Sequence, residues 1–308
     1  MGIQILLSFF LSFVLIASST AAADEDPTLR ERALETTESI SHQIQRAARQ
    51  LDLVLAGKKY TDKENDSEIK ISQLVTWSEG GQLRTSTDFG INLRLPNLEK
   101  RWQLRFSSFD EREEERNVRQ RRIRTAPREQ EYGASFLFFF RELGNVKTTF
   151  QPRLELKDPL EMSYTLRFES SAEEGRLRLA PRLEFYADPN KGVGHFFSMD
   201  LLVELAPRWQ FTFQNAEEYQ ERGNLFTTSH GITLDHALTD ISSIGTGLTA
   251  GASNRPTYHL TNLQASVSYG RQILRDHLSY SLSPFLQFAK SRHFKGEAGV
   301  TLNIELVF

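Results

Sequence analysis

Val300-Thr301-Leu302-Asn303-Ile304-Glu305-Leu306-Val307-Phe308 carries an apolar side chain at every even position, and three of its four odd positions are polar. A period of two marks a strand with unlike faces, because successive side chains leave the backbone on opposite sides. Working back along the chain, the alternation recurs in Leu278/Tyr280/Leu282/Leu286/Phe288, Leu263/Val267/Tyr269, Ile244/Leu248, Phe226/Ile232/Leu234, Trp209/Phe211/Phe213 and Phe197/Met199/Leu201/Val203/Leu205. It continues through Leu177/Leu179/Leu183/Phe185, Met162/Tyr164/Leu166/Phe168, Phe150/Pro152/Leu154/Leu156, Phe136/Phe138/Phe140, Trp102/Leu104/Phe106 and Phe89/Ile91/Leu93/Leu95 to Ile69/Ile71/Val75/Trp77. These runs amount to about fourteen strands of about ten residues, or twelve if one hairpin is misread, with even parity the firmer expectation.

The second face decides how such a sheet is covered. Arg153, Glu155, Glu161, Arg167, Arg178, Arg182, Glu184, Asp200 and Glu204 all fall on it. A β-sandwich or a β-solenoid would bury those charges at several kcal/mol for each one left unpaired. An antiparallel up-and-down barrel in lipid turns the apolar face to acyl chains and the charged face to a wet lumen, and leaves no free edge.

With its closing strand ending on Phe308, the chain resembles the transmembrane β-barrels of the Gram-negative outer membrane, porin-like proteins, over roughly residues 68–308. The resemblance is to the class. It implies a cell-envelope protein in the bacterial outer membrane, with both termini periplasmic, lipid and lipopolysaccharide around it, and Phe308 as the signal read by the outer-membrane assembly machinery.

Composition agrees. The chain has 308 residues, a net charge of −3, 25% charged and 39% hydrophobic residues, 22 Phe and no Cys. Its mean hydropathy is −0.43. Disulfide frameworks, thiol nucleophiles and cysteine zinc sites are excluded, and the charge balance argues against nucleic acid as a partner. An apolar run from Ile3 to Ile16, then Ala21-Ala22-Ala23 and Asp24, reads as a secretory signal peptide over 1–23, too short to span a bilayer. Within the segment 24–67, Ala33, Thr37, Ile40, Ile44, Ala47, Leu51 and Val54 are spaced alternately by four and three. That predicts an amphipathic helix over 28–56, packed on its own barrel, docking a periplasmic partner or plugging the lumen.

Four prolines, Pro152, Pro181, Pro207 and Pro284, begin similar pentapeptides and predict local bulges. The charged inner face predicts a lumen lined by Arg94, Arg101, Arg105, Arg141, Arg153, Glu155, Arg167, Arg178, Arg182, Glu184, Asp200, Glu204 and Arg208. Later strands contribute small inward groups such as Ser229, Gly231, Gly245, Gly247 and Ser281. The one long outer connection, near 110–131, is acidic first and then carries Arg116, Arg119, Arg121, Arg122, Arg124 and Arg128. Guanidinium groups match phosphate through paired donors, so these six are candidates for contact with lipopolysaccharide phosphate. A self-neutralising solvated loop and a loop folded into the lumen are the other readings.

No metal site, cofactor motif or catalytic set is expected. His230 has Ile232 rather than Ser two places on, and Asp235 and His236 are neighbours that face opposite ways on a strand. The expected activity is passive passage of small polar or charged solutes, by a monomer or an oligomer. A non-conducting scaffold whose helix docks a partner and a lipid hydrolase stay open beside it.

Overall fold

In a computed structural model the described residues are 27–55, 67–79, 81, 83–94, 102–117, 127–140, 144–274 and 277–308. The segment 1–23 expected to be a signal peptide, Arg101, Arg119, Arg121, Arg122, Arg124 and Arg141 lie outside them. The chain falls into two compact units, residues 1–40 and 41–308, and the sheet belongs to the second.

Fourteen antiparallel strands form among the described residues: β1 Glu68–Ser78, β2 Arg84–Arg94, β3 Trp102–Ser107, β4 Gly133–Phe139, β5 Val146–Glu155, β6 Glu161–Ser170 (prolonged by Ala172–Glu174) and β7 Leu177–Asp188. They continue as β8 Gly192–Ala206, β9 Trp209–Gln220, β10 Leu225–Ala237, β11 Ser242–Ser253, β12 His259–Leu274, β13 Leu278–Ala289 and β14 Gly296–Val307. Each pairs with its neighbours in sequence, and β1 pairs with β14 from Lys70↔Val307 to Ser78↔Gly299. Beyond that register the Phe308 N–H donates to the Ile69 carbonyl at 2.9 Å, and the Ile69 N–H returns the bond at 3.1 Å. The result is a closed up-and-down barrel.

Burial is inverted relative to a water-soluble domain. Among the described residues, buried polar and charged side chains outnumber buried apolar ones by more than two to one, while Trp77, Phe136, Leu248, Leu263, Leu282 and Leu286 are all exposed. Trp102, Phe138, Phe150 and Tyr164 continue that outer face as an aromatic row across β3–β6, with ring centroids 5.3–6.2 Å apart. No helix among the described residues is long and apolar enough to cross a membrane.

Two expectations need correcting. Three of the four prolines do not bulge. Pro152, Pro181 and Pro284 keep register with Tyr164, Met199 and Val300 on one side. On the other side the ladder skips or stops at the proline. A proline lacks one donor, so one neighbour loses a bond and the other keeps its pairing. Pro207 lies in the turn between β8 and β9, and the irregularity expected there falls just beyond it, where the register shifts between Trp209 and Gln210. In the helix α1, Pro27–Leu55, the most buried residues are Thr37, Ala48 and Asp52, whereas Ala47 and Val54 are exposed. A 3.6-residue turn drifts off a strict alternation of fours and threes, which moves the buried stripe by one position.

Replacing a lipid-facing mid-strand residue by a charge tests the inversion. Leu248→Arg should lower the stability of the barrel folded into phosphatidylcholine vesicles by about 2–4 kcal/mol in a urea titration, while Ser281→Ala on the inner face changes it little.

Candidate functional site

The connection between β3 and β4, residues 108–132, supplies the site. Asp110 opens a short helix, α2 (Glu111–Arg116), as its N-cap: its carboxylate accepts the Arg112 backbone N–H at 2.9 Å. The same carboxylate takes the Arg112 guanidinium through two bonds of 3.0 and 2.6 Å. Burial pushes the Asp110 carboxyl up, but the Arg112 hydrogen bond and charge outweigh it and hold the group well below the usual aspartate range. With a lowered folded value, its stabilisation is complete above the ordinary value of about 3.9 and is lost only in stronger acid. Burial raises the neighbouring Glu111, against the pull of Arg105 3.3 Å away.

Contacts from this connection reach opposite parts of the wall. Arg128 donates to Ser72 of β1 at 2.7 Å and Asp88 of β2 at 3.2 Å, pairs with Glu114, and lies 4.1 Å over the Phe109 ring. Arg112 donates to Ser163 of β6 at 2.8 Å, and Arg116 to Glu184 of β7 at 2.7 Å. Glu115 sits 2.7 Å from Arg167 and 3.1 Å from Arg182. All these wall residues point inward, so the described parts of the connection lie inside the ring.

Arg153 ties both ends of the connection together. Only 2% exposed, it donates to the Phe109 carbonyl at 3.1 Å, the Glu131 carbonyl at 2.7 Å and the Ser107 hydroxyl at 3.1 Å. Gly133 makes room for it, since a Cβ there would stand 2.7 Å from the Arg153 guanidinium carbon.

Above α2 a cavity of about 400 Å³ is lined by Asp110, Glu113, Glu114, Glu129, Glu131, Glu155 and Asp188 against Arg128 and Lys191. Carboxylate oxygens of Asp110, Glu131 and Glu155 lie within 4.8 Å of one another, a set of the kind that holds a divalent cation. Arg112 already meets Asp110 at 2.6 Å, and Lys157 meets Glu155 at 2.7 Å and Glu131 at 3.1 Å, so side chains of the chain itself offset most of the group's charge.

The arginines expected to meet lipopolysaccharide need correction where they are described. Arg116 and Arg128 are turned to inner-wall carboxylates, because buried guanidinium groups require anionic partners and the wall supplies them. Among the expected lumen residues, Arg105, Arg153, Glu155, Arg167, Arg182 and Glu184 surround the connection, and Asp200 is half-buried on the same face. Arg94 and Glu204 are exposed at strand ends, and Arg178 pairs with Glu173 at 3.1 Å near the turn before β7. Arg208 does not line the lumen. It occupies the turn after Pro207 with φ 69° and reaches Asp240 at 3.5 Å across the next hairpin.

Sequence reasoning missed Arg112, Tyr186 and Glu218. An Asp two residues before an arginine at the start of a run of strong helix formers was the signal for the first. Asp235 faces inward against Gly245, whereas His236 stacks on Trp209 outside with centroids 4.1 Å apart, so the two do not meet.

Pseudomonas putida OprB is similar to this chain at 9% identity and a TM-score of 0.53, over 79% of this chain and 94% of that one. The fold is that of an outer-membrane β-barrel. The outer membrane channel DcaP of Acinetobacter baumannii gives 8% identity and a TM-score of 0.49 over 81% and 99%. Pseudomonas aeruginosa OccK11 gives 9% and 0.46 over 79% and 95%. No family model matches the chain, and no curated protein does.

Gly133→Ala should loosen the clasp. Amide exchange in 108–117 and 127–132 is expected to quicken roughly tenfold or more, the equivalent of one charged hydrogen bond of about 1.5 kcal/mol, while strand amides stay protected.

Proposed function

We infer that the protein is a bacterial outer-membrane channel for small polar or charged solutes, with the 108–132 connection narrowing its path from within. Its termini are periplasmic and the connection enters from the outer rim. The observation that carries this reading is the span of the connection: Arg128 is held at β1 and β2, and Arg112 and Arg116 at β6 and β7. A segment that crosses the ring on charged contacts sets both the free width and the field met by a passing ion. The exposed apolar belt, the polar inner face and the likeness to the OprB fold support the same reading.

Planar-bilayer recording of the full chain tests it. Discrete conductance steps are expected, and Arg116→Ala with Arg128→Ala should enlarge them by releasing the connection from both walls. A current indistinguishable from a protein-free bilayer overturns the reading.

A further inference from the structure

The wall patch that grips α2 has a recognition chemistry of its own. One half receives a cation. Arg116 lies 2.7 Å from Glu184 and 3.8 Å from Glu218, with its guanidinium 4.2 Å above the Tyr186 ring. Tyr186 is fixed in turn, donating to Glu218 at 2.8 Å and to the Tyr219 carbonyl at 3.1 Å. Gly194 lets it lie there, because a Cβ would come 2.4 Å from the ring.

The other half receives an anion: Arg167 and Arg182 converge on one Glu115 oxygen at 2.7 and 3.1 Å. These two arginines do not need α2 to hold their place. Each also donates to Glu184, at 2.6 and 2.7 Å, and Arg167 stands directly opposite Glu184 in the β6–β7 register.

Without Glu115 and Arg116, the patch would present Arg167 and Arg182 against Glu184 and Glu218, two charges of each sign. Glu169, 3.9 Å from both arginines, is 41% exposed and therefore screened. Such a surface matches neither a simple anion nor a simple cation. It matches a molecule carrying both.

We propose that this patch is a binding station for zwitterionic solutes bearing a guanidinium or ammonium group beside a carboxylate, and that Glu115-Arg116 occupies it as a tethered guest. The fit of that guest is incomplete. The Arg116 Nη2 atom is buried with no hydrogen-bond partner among the described residues, and Glu115 is 36% exposed, so the anion half opens to the lumen. A preorganised site binds a free ligand with little ordering of its own, and a tethered competitor acts at an effective concentration of about millimolar. Solutes at that scale would displace α2 and widen the path. Access to the patch rests on the channel reading; the binding chemistry does not.

Calorimetry on the full chain in detergent micelles provides the test, with the blocked dipeptide N-acetyl-glutamyl-arginine amide as probe. Its uncharged isostere, N-acetyl-glutaminyl-citrulline amide, is the control. The Glu115→Ala/Arg116→Ala variant should bind the probe at least about tenfold tighter than the unaltered chain, because the tethered guest is gone. Adding Glu218→Gln should remove most of that gain, and the isostere should not bind. Equal affinity in variant and unaltered chain, a gain that survives Glu218→Gln, or equal binding of the isostere overturns the proposal. Heat-modifiable gel mobility reports the folded barrel. If the double variant lacks it, Glu115→Gln alone is held to the same criteria. Probe binding by a chain that passes no current sinks the channel reading and keeps this one; current with no probe binding does the reverse.

Discussion

Hydrocarbon offers nothing to an unpaired backbone N–H or C=O, and closure of the sheet between β1 and β14 answers that constraint. The remaining features of the barrel follow from it. A closed sheet has only two faces, one turned to lipid and the other to an enclosed space. Period-two alternation then assigns every side chain to one or the other, so Leu282 and Leu286 are exposed while Ser283 between them is buried.

The enclosed face creates a second requirement. Glu184 is fully buried, and Arg153 and Asp88 nearly so. Charges at such positions need partners within reach, and much of the pairing comes from a connection whose composition suits solvent equally well. Glu111, Glu115, Arg116 and Arg128 bring inward the complement of what the wall presents. Exchange of a guanidinium for a carboxylate across the gap makes the inward position favourable for both sides. The same neutralisation limits the field available to a solute, which is why the small-residue strands β10–β13 and the partly exposed Glu115 matter to any path through the lumen.

Strand number, closure and the inward face were legible in the sequence, because lipid on one side and water on the other leave a signal at every second residue. The side chains of Arg153, Arg167, Arg182 and Glu184 follow from parity alone. The course of residues 108–132 was not legible. A block of acids followed by arginines reads the same whether it neutralises itself in water or meets a charged wall, and the wall partners Ser72, Asp88 and Ser163 are distant in sequence. Arg208 misled for a local reason: alternation does not say where a strand ends, and Pro207-Arg208 is the turn itself. The stripe of α1 was displaced by the small difference between 3.5 and 3.6 residues per turn.

One face of each strand meets lipid and the other a polar interior. A single-cysteine scan along β13 tests it directly, since the chain has no cysteine of its own. In the barrel folded into vesicles, cysteines replacing Ser279 and Ser281 should react with a charged, water-soluble maleimide, and those replacing Leu282 and Leu286 should be shielded by lipid. Uniform reactivity along the strand, or the opposite alternation, would contradict such a two-faced wall.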